Sequence, residues 1–254
     1  MTGRVVSWFS HGAASAVATK IALARHVDVV VACIDTGSEH EDNDRFRADC
    51  EGWYGRDITV LKTEKYADTW DVFEKERYLV GPSGARCTAE LKKKVRHAFE
   101  RPDDLQVFGY TADLRDAKRA VRFVEQNPGV DMWAPLTELG LTKGDCLALV
   151  ERAGIALPAM YELGYSNNNC IGCVKGGMGY WNKVRIDFPD VFARMAAVER
   201  GLNHTVLRDG DEPLFLDELA PDRGNYKAEA VSDCSLDCQI IENEFVPVTI
   251  GRVA

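Results

Sequence analysis

The sequence predicts an α/β fold, a mainly parallel sheet with helices on both faces, followed by an irregular, cysteine-containing C-terminal segment. Three observations carry this expectation. Short β-rich runs alternate with helical patterns through the first half of the chain, Gly or small polar residues close those runs, and the periodicity fades beyond Pro135. Strands that alternate with helices imply parallel pairing, because a parallel neighbour is reached only by a crossover connection.

The elements follow in order. Arg4 to Phe9 is a β-rich run closed by Ser10-His11-Gly12, and Ala13 to Ala24 supplies small residues and good helix formers. Val27 to Ile34 is strand-sized and ends at Asp35-Thr36-Gly37. A polar helix is expected over Asp42 to Glu51, a strand over Ile58 to Leu61, and helices over Thr69 to Arg77 and Thr88 to Phe99. Leu105 to Phe108 reads as a fourth strand stopped by Gly109, with a helix from Asp113 to Glu125. Thr142 caps a helix to Ala153, a loop rich in Asn, Gly and Cys runs from Gly164 to Gly179, and a further helix spans Asp190 to Gly201. The expected division is a nucleotide-binding domain over residues 1–185 with its CxxC metal site, and a C-terminal helix and tail, 186–254, packed on it. Right-handed crossovers gather the loops at Ser10, Asp35 and Gly109 on one edge of the sheet, where a ligand would sit.

With 254 residues, 46% hydrophobic and 28% charged, the chain can build an ordinary core. No apolar run approaches membrane-spanning length; Val27 to Ile34, the longest, is broken by Asp28. Met1-Thr2-Gly3-Arg4 leads into a strand pattern without a secretory leader, so the expected compartment is the cytoplasm, with no membrane partner. A net charge of −9 argues against broad attraction to nucleic-acid phosphates. It leaves room for local basic clusters, of which there are two: Lys92-Lys93-Lys94-Arg96-His97, and Arg115, Lys118, Arg119 and Arg122. Taken alone, both read as solvated helix faces.

Two kinds of loop suggest chemistry. Ser10-His11-Gly12-Ala13-Ala14-Ser15 joins the first strand to the first helix; small residues there let backbone N–H groups and the helix N-terminus approach an anion, with the Ser10 and Ser15 hydroxyls beside them. Asp35-Thr36-Gly37 can point a carboxylate and a hydroxyl into the same crevice, or form a simple Asx-turn. Gly109 opens a turn that leads to Arg115 and Arg119, whose guanidinium groups suit phosphate or sulfate. A tight turn without ligand, and a helix surface paired with Asp113, Asp116 and Glu125, are the plainer readings of the first and last of these.

Eight cysteines without a secretory context point away from a disulfide framework. Cys33, Cys50 and Cys146 fall in apolar or helical surroundings and read as packed thiols. Cys87, Cys170, Cys173, Cys234 and Cys238 lie among polar and Gly-rich residues. The pair Cys170-Ile171-Gly172-Cys173 can chelate a metal ion or two corners of a cluster. Iron–sulfur, structural zinc and a redox dithiol remain open on the residues alone.

Taken as a series, the Ser10–Ser15 loop, Asp35-Thr36-Gly37, Gly109–Arg119, Pro135-Leu136 and Leu157-Pro158…Tyr161…Gly164…Cys170-Ile171-Gly172-Cys173 resemble the phosphoadenylyl-sulfate reductase family of the PP-loop, adenine-nucleotide alpha-hydrolase-like superfamily. The resemblance covers Val5 to Trp181. It implies a Rossmann-like sheet that binds an adenine nucleotide, ATP or an adenylyl sulfate, through Ser10, His11, Gly12, Ser15, Asp35, Thr36, Gly37, Gly109, Arg115 and Arg119. The match over Cys87-Thr88-Ala89-Glu90-Leu91-Lys92, with Cys170 and Cys173, implies an iron–sulfur cluster of the 4Fe-4S type. Its fourth iron is either open or held by Cys234 or Cys238. Lys92 would neutralise phosphate or sulfate charge, and a thiolate of Cys234 or Cys238 would attack the activated partner.

The sequence departs from the family pattern in three places. Thr88 stands where adenylyl-sulfate reductases carry an adjacent cysteine. His11 replaces a loop glycine, and Ala14 replaces the loop aspartate, removing the carboxylate that magnesium-assisted ATP cleavage would use. Asp233-Cys234-Ser235-Leu236 is only similar to the reductases' C-terminal Glu-Cys-Gly-like motif. The leading expectation is sulfur transfer to a nucleotide or nucleic acid, served by a sulfur- or electron-donor protein and compatible with a homo-oligomer. Reduction of adenylyl sulfate or phosphoadenylyl sulfate to sulfite is the alternative, and a catalytically silent nucleotide or redox sensor, or a scaffold, is the third.

Overall fold

The computed structural model describes residues 3–82 and 84–229, and the backbone of 250–252. Its centre is a Rossmann-like sheet of five parallel strands: β1 (Val5–Trp8), β2 (Val29–Ile34), β3 (Thr59–Thr63), β6 (Leu105–Val107) and β7 (Asp131–Trp133), in the order β3-β2-β1-β6-β7. The register sets Val5 beside both Val29 and Leu105. Between β3 and β6 the chain forms a short hairpin, β4 (Val80–Gly81) and β5 (Gly84–Ala85). A second hairpin follows at β8 (Leu207–Asp209) and β9 (Glu212–Leu214), and Ile250–Arg252 (β10) adds an antiparallel edge to β3.

The helices in chain order are α1 (Ala13–Arg25), α2 (Asp42–Tyr54), α3 (Thr69–Glu76), α4 (Lys94–Phe99), α5 (Leu114–Gln126), α6 (Pro135–Glu138), α7 (Lys143–Arg152), α8 (Ala159–Glu162), α9 (Met178–Asp187) and α10 (Pro189–Leu202). The near-continuous apolar runs of β1 and β2 are explained by burial on both faces. Val5, Phe9, Val29, Val31 and Cys33 pack toward α1, α2 and α7, through Ala16, Phe46 and Val150 among others. Val6, Trp8 and Ala32 point the other way, to Val95 of α4 and to Ala120 and Phe123 of α5. The packed thiols expected at Cys33, Cys50 and Cys146 lie in the first of these layers, and burial pushes each up to about 12.

A second apolar cluster stands beyond the strand ends. It joins Trp70 and Phe73 of α3 and Leu79 to Cys173, Tyr180, Trp181, Met195, Leu207, Leu216 and Leu219. Residues on both sides of position 185 therefore share one core.

Thr142 caps α7 with a full capping box, its Oγ1 accepting from Asp145 N while Asp145 Oδ2 accepts from Thr142 N. The helix expected over Thr88 to Phe99 is divided: Thr88–Lys93 forms a wider π-type turn before α4 begins. Val27 is left outside β2 and is 93% exposed. Among the described residues no helix is long and apolar enough to cross a membrane.

Candidate functional site

The crevice lies at the carboxyl ends of β1, β2 and β6. The Ser10–Ser15 loop lines it together with Lys92, Arg119, Lys143 and Cys170. A larger cavity of about 800 Å³ adjoins it, but that one is walled by Asp35, Glu39, Glu41, Asp44, Glu51 and Asp57 against Arg47. Such a charge balance repels phosphate, so the smaller cavity, about 170 Å³ and lined by Lys92, Arg119 and Lys143 against Glu39 and Asp116, is the candidate anion site.

The loop is braced by a single hydroxyl. Ser15 Oγ accepts from Ser10 N at 3.0 Å and from the Ser10 hydroxyl at 3.1 Å, and donates to Gly12 O at 2.9 Å. The turn so formed leads into α1, which starts with no side-chain cap and no acidic residue in its first turn. Its free N–H groups and positive dipole end face the crevice, an arrangement suited to an anion. Gly109 is required for this geometry. A Cβ there would lie 2.7 Å from Ser15 N and 2.8 Å from Ser15 Cα, so β6 can end against α1 only without a side chain. Gly12 faces Tyr161, whose hydroxyl would be 3.3 Å from an added Cβ.

His11 occupies the left-handed region at φ 57°, where a non-glycine residue costs energy. Its ring is buried edge-on against Phe9, 5.0 Å between centroids, and its carbonyl accepts from Asn168 Nδ2 at 2.7 Å. Burial holds the imidazole below its ordinary pKa, so the neutral ring is favoured. Asn168 Nδ2 also donates to Asn43 Oδ1 at 2.7 Å, tying the loop to α2. The lining around Arg119 and Lys143 is braced as well. Thr111 Oγ1 donates to Asp113 and Asp116, Asp116 pairs with Arg119 at 2.7 Å, and Lys143 Nζ binds Ser166 O and Asn167 Oδ1.

Of the residues singled out by sequence, Ser10, His11, Gly12, Ser15, Gly109, Arg119, Lys92 and Cys170 line this crevice together. Thr36 joins them from beneath, its Oγ1 3.1 Å from Cys170 Sγ. Asp35 does not: its carboxylate accepts from Gly37 N at 2.7 Å and pairs with Lys62 at 3.0 Å, and Asp35 and Gly37 face the acidic cavity. Gly37 is needed there for its positive φ of 67°. Arg115 is exposed on the outer side of α5.

The Cys-x-x-Cys turn is locked from two sides. Ile171 N donates to Ser38 O at 2.9 Å, fixing the turn to the loop after β2. Tyr180 Oη accepts from Cys173 N at 2.9 Å and donates to Cys170 O at 3.5 Å. Gly172, at φ 75°, closes the turn beneath Val191. Cys170 and Cys173 are both buried and not bonded to each other, and Cys87 packs against the same apolar cluster as Cys173. Among the described residues no three His, Cys, Asp or Glu side chains are gathered closely enough to hold a metal ion. Cys234 and Cys238 lie outside the described residues. The described donor set is thus a soft thiol pair, chemically suited to iron–sulfur or zinc but incomplete by itself.

Glu39 was not anticipated. It borders both cavities; its Oε2 accepts from Thr36 N and Ser38 N at 3.2 and 3.3 Å, and its Oε1 lies 3.7 Å from Cys170 Sγ. Asn168 and Lys143 were missed too. Only the Asn167-Asn168-Asn169 run beside the cysteines could have flagged the former, and Lys143 sits in an ordinary helix N-terminus.

The chain is 28% identical over 157 residues to an uncharacterized 37.8 kDa protein of the gpa 5′ region of Escherichia phage 186; the match covers 58% of this chain and 46% of that protein. The chain thus spans about half the phage protein's length. No family model matches the chain.

Proposed function

We propose that the protein is an adenine-nucleotide-dependent enzyme of sulfur chemistry, related to the phosphoadenylyl-sulfate reductase family. One observation carries the reading: the Cys170 thiol stands in the wall of the same crevice into which the braced Ser10–Ser15 loop, the α1 N-terminus, Lys92 and Arg119 face. An anion-binding turn, cations and a soft thiol within one cavity are what is needed to hold a nucleotide's charged groups beside a sulfur centre.

In this reading the α1 N–H groups and the Ser10 hydroxyl bind phosphate or sulfate oxygens, while Lys92 and Arg119 offset the charge that develops there. Cys170 and Cys173 would hold an iron–sulfur cluster together with Cys87 and with Cys234 or Cys238. When bound, such a cluster supplies redox or sulfide-carrying capacity. Glu39 is placed to orient the Cys170 thiol, and the Tyr180 hydroxyl fixes the turn that carries it. Ala14 leaves the loop without a carboxylate, so magnesium-assisted ATP cleavage has no evident ligand on α1. Sulfur transfer to a nucleotide or nucleic acid is the preferred reaction, and reduction of an adenylyl sulfate to sulfite the second.

The test is anaerobic purification followed by iron, sulfide and zinc analysis of the wild type and Cys170→Ser, with turnover assays on ATP plus a sulfur donor and on adenylyl sulfate. Stoichiometric iron and sulfide, lost in Cys170→Ser, support the reading. Zinc alone, with no turnover on either substrate, would replace it with a sensor or scaffold.

A further inference from the structure

The outer side of α5 carries a feature the crevice does not use. Helix α5 turns Ala120 and Phe123 toward the sheet, and Asp116 and Arg119 into the crevice. Arg115, Lys118 and Arg122 follow at i, i+3 and i+7, which aligns them as one exposed stripe directly beside Arg119. Among the described residues none of the three has an ion-pair partner.

The chain carries a net charge of −9, and several of its partly exposed arginines are neutralised: Arg25 by Glu138, Arg45 by Asp42 and Asp49, Arg200 by Asp217 and Glu218, Arg223 by Asp209. On α5 itself Asp116 is occupied by Arg119 and Thr111, and Asp113 by Thr111 and the Lys143 N–H; Glu125, three residues beyond Arg122, ends the stripe and makes no ion pair with it among the described residues. Seven residues of helix place the three cations over about 10 Å.

We propose that this edge of α5 binds the phosphate backbone of a nucleic-acid strand and leads it toward the crevice. The inference deepens the functional reading above by naming the acceptor as nucleic acid, and it rests on that reading for its catalytic meaning. Cations aligned on one helix face without an ion-pair partner complement a polymer with repeating negative charge. The stripe is continuous, through Arg119, with the cations of the crevice, so a bound strand would run to the site and not past it.

The experiment measures fluorescence anisotropy of fluorescein-labelled 20-nucleotide single-stranded RNA and DNA with the full chain between 50 and 200 mM salt. The variants are Lys118→Glu/Arg122→Glu and, as a milder pair, Lys118→Gln/Arg122→Gln. Calorimetric titration with ATP and adenylyl sulfate is run on the same samples. For wild type the expected result is saturable binding at 50 mM, with log Kobs falling against log[salt] at a slope of about −2 for three phosphate contacts. The charge-reversed pair should weaken binding at least tenfold and flatten the slope by about 1.4, and the Gln pair should flatten it equally with a smaller loss of affinity. Adenine-nucleotide binding should be the same in all three proteins.

Absence of oligonucleotide binding by wild type at 50 mM, or variants that bind as tightly as wild type, would overturn the proposal and point to an acidic protein as the partner. Loss of adenine-nucleotide binding in wild type would instead count against the functional reading, and would leave the anisotropy result to decide the surface.

Discussion

Gly109→Ala probes the contact on which the crevice depends. The new Cβ would lie 2.7 Å from Ser15 N, 2.8 Å from Ser15 Cα and 2.9 Å from Ala14 C, all backbone atoms that cannot rotate away. Ordinary separations are about 3.5–4.0 Å, so the loop and the start of α1 must retreat by nearly 1 Å. Overpacking of this kind costs about 1–3 kcal/mol. In a domain of this size each kcal/mol lowers Tm by about 2–4 °C. The same retreat moves the α1 N–H groups off the anion. Loss of one hydrogen bond to a charged ligand, about 1.5–3 kcal/mol, weakens nucleotide binding roughly tenfold to a hundredfold. Differential scanning fluorimetry and calorimetric titration read the two effects. A variant with lowered Tm but unchanged nucleotide affinity would show that the loop does not hold the ligand, and one unchanged in both would refute the close approach itself.

Four further outcomes follow from the geometry. Tyr180→Phe removes the hydroxyl shared by Cys173 N and Cys170 O; stability should fall by about 1–3 kcal/mol in thermal unfolding, with reduced metal content on elemental analysis. At position 11, glycine relieves about 1–2 kcal/mol of left-handed backbone cost, and both glycine and alanine lose the ring contact with Phe9; His11→Gly should therefore melt above His11→Ala, and the reverse order would deny the strain. Glu199 is fully buried, accepts from Val206 N and Leu216 N, and is pushed up to about 7 by burial. Because its folded pKa lies above the unfolded value, the stability it contributes is complete below about pH 4.5 and is lost as pH rises through 7. Glu199→Gln should flatten that part of the stability–pH curve by at most roughly 3 kcal/mol in chemical denaturation. Cys33, Cys50 and Cys146, each pushed up to about 12, should resist iodoacetamide at pH 8 in the native protein and label fully in urea, as peptide mass spectrometry would show.

The parallel sheet was legible because β1 and β2 are buried on both faces, and a two-faced strand leaves a nearly unbroken apolar run. The Ser10–Ser15 loop and Gly109 were legible for the same kind of reason, since small residues at a strand end admit close backbone approach. What misled was glycine elsewhere. Gly176, Gly177 and Gly179 suggest a loop, yet Gly179 lies inside α9, where its missing side chain lets Asn225 and Tyr226 cross against the helix. The short strand β7 gave no signal, because three residues beginning with an exposed Asp131 carry no alternation. Asp35 and Arg115 drew attention through residue type alone. Position decides otherwise, since a local Asx-turn and Lys62 occupy the first, and the second stays on the exposed face of α5, outside the lining of the crevice. Glu39 escaped because its role arises from contact with Cys170, 131 positions away.

The central claim is that this crevice holds an adenine nucleotide beside the Cys170 thiol. Calorimetric titration of anaerobically prepared protein with ATP and adenylyl sulfate, against GTP as control, tests it most directly. The account predicts saturable one-to-one binding of at least one adenine nucleotide, with GTP weaker by tenfold or more. No heat with either adenine nucleotide, or equal affinity for GTP, would contradict it.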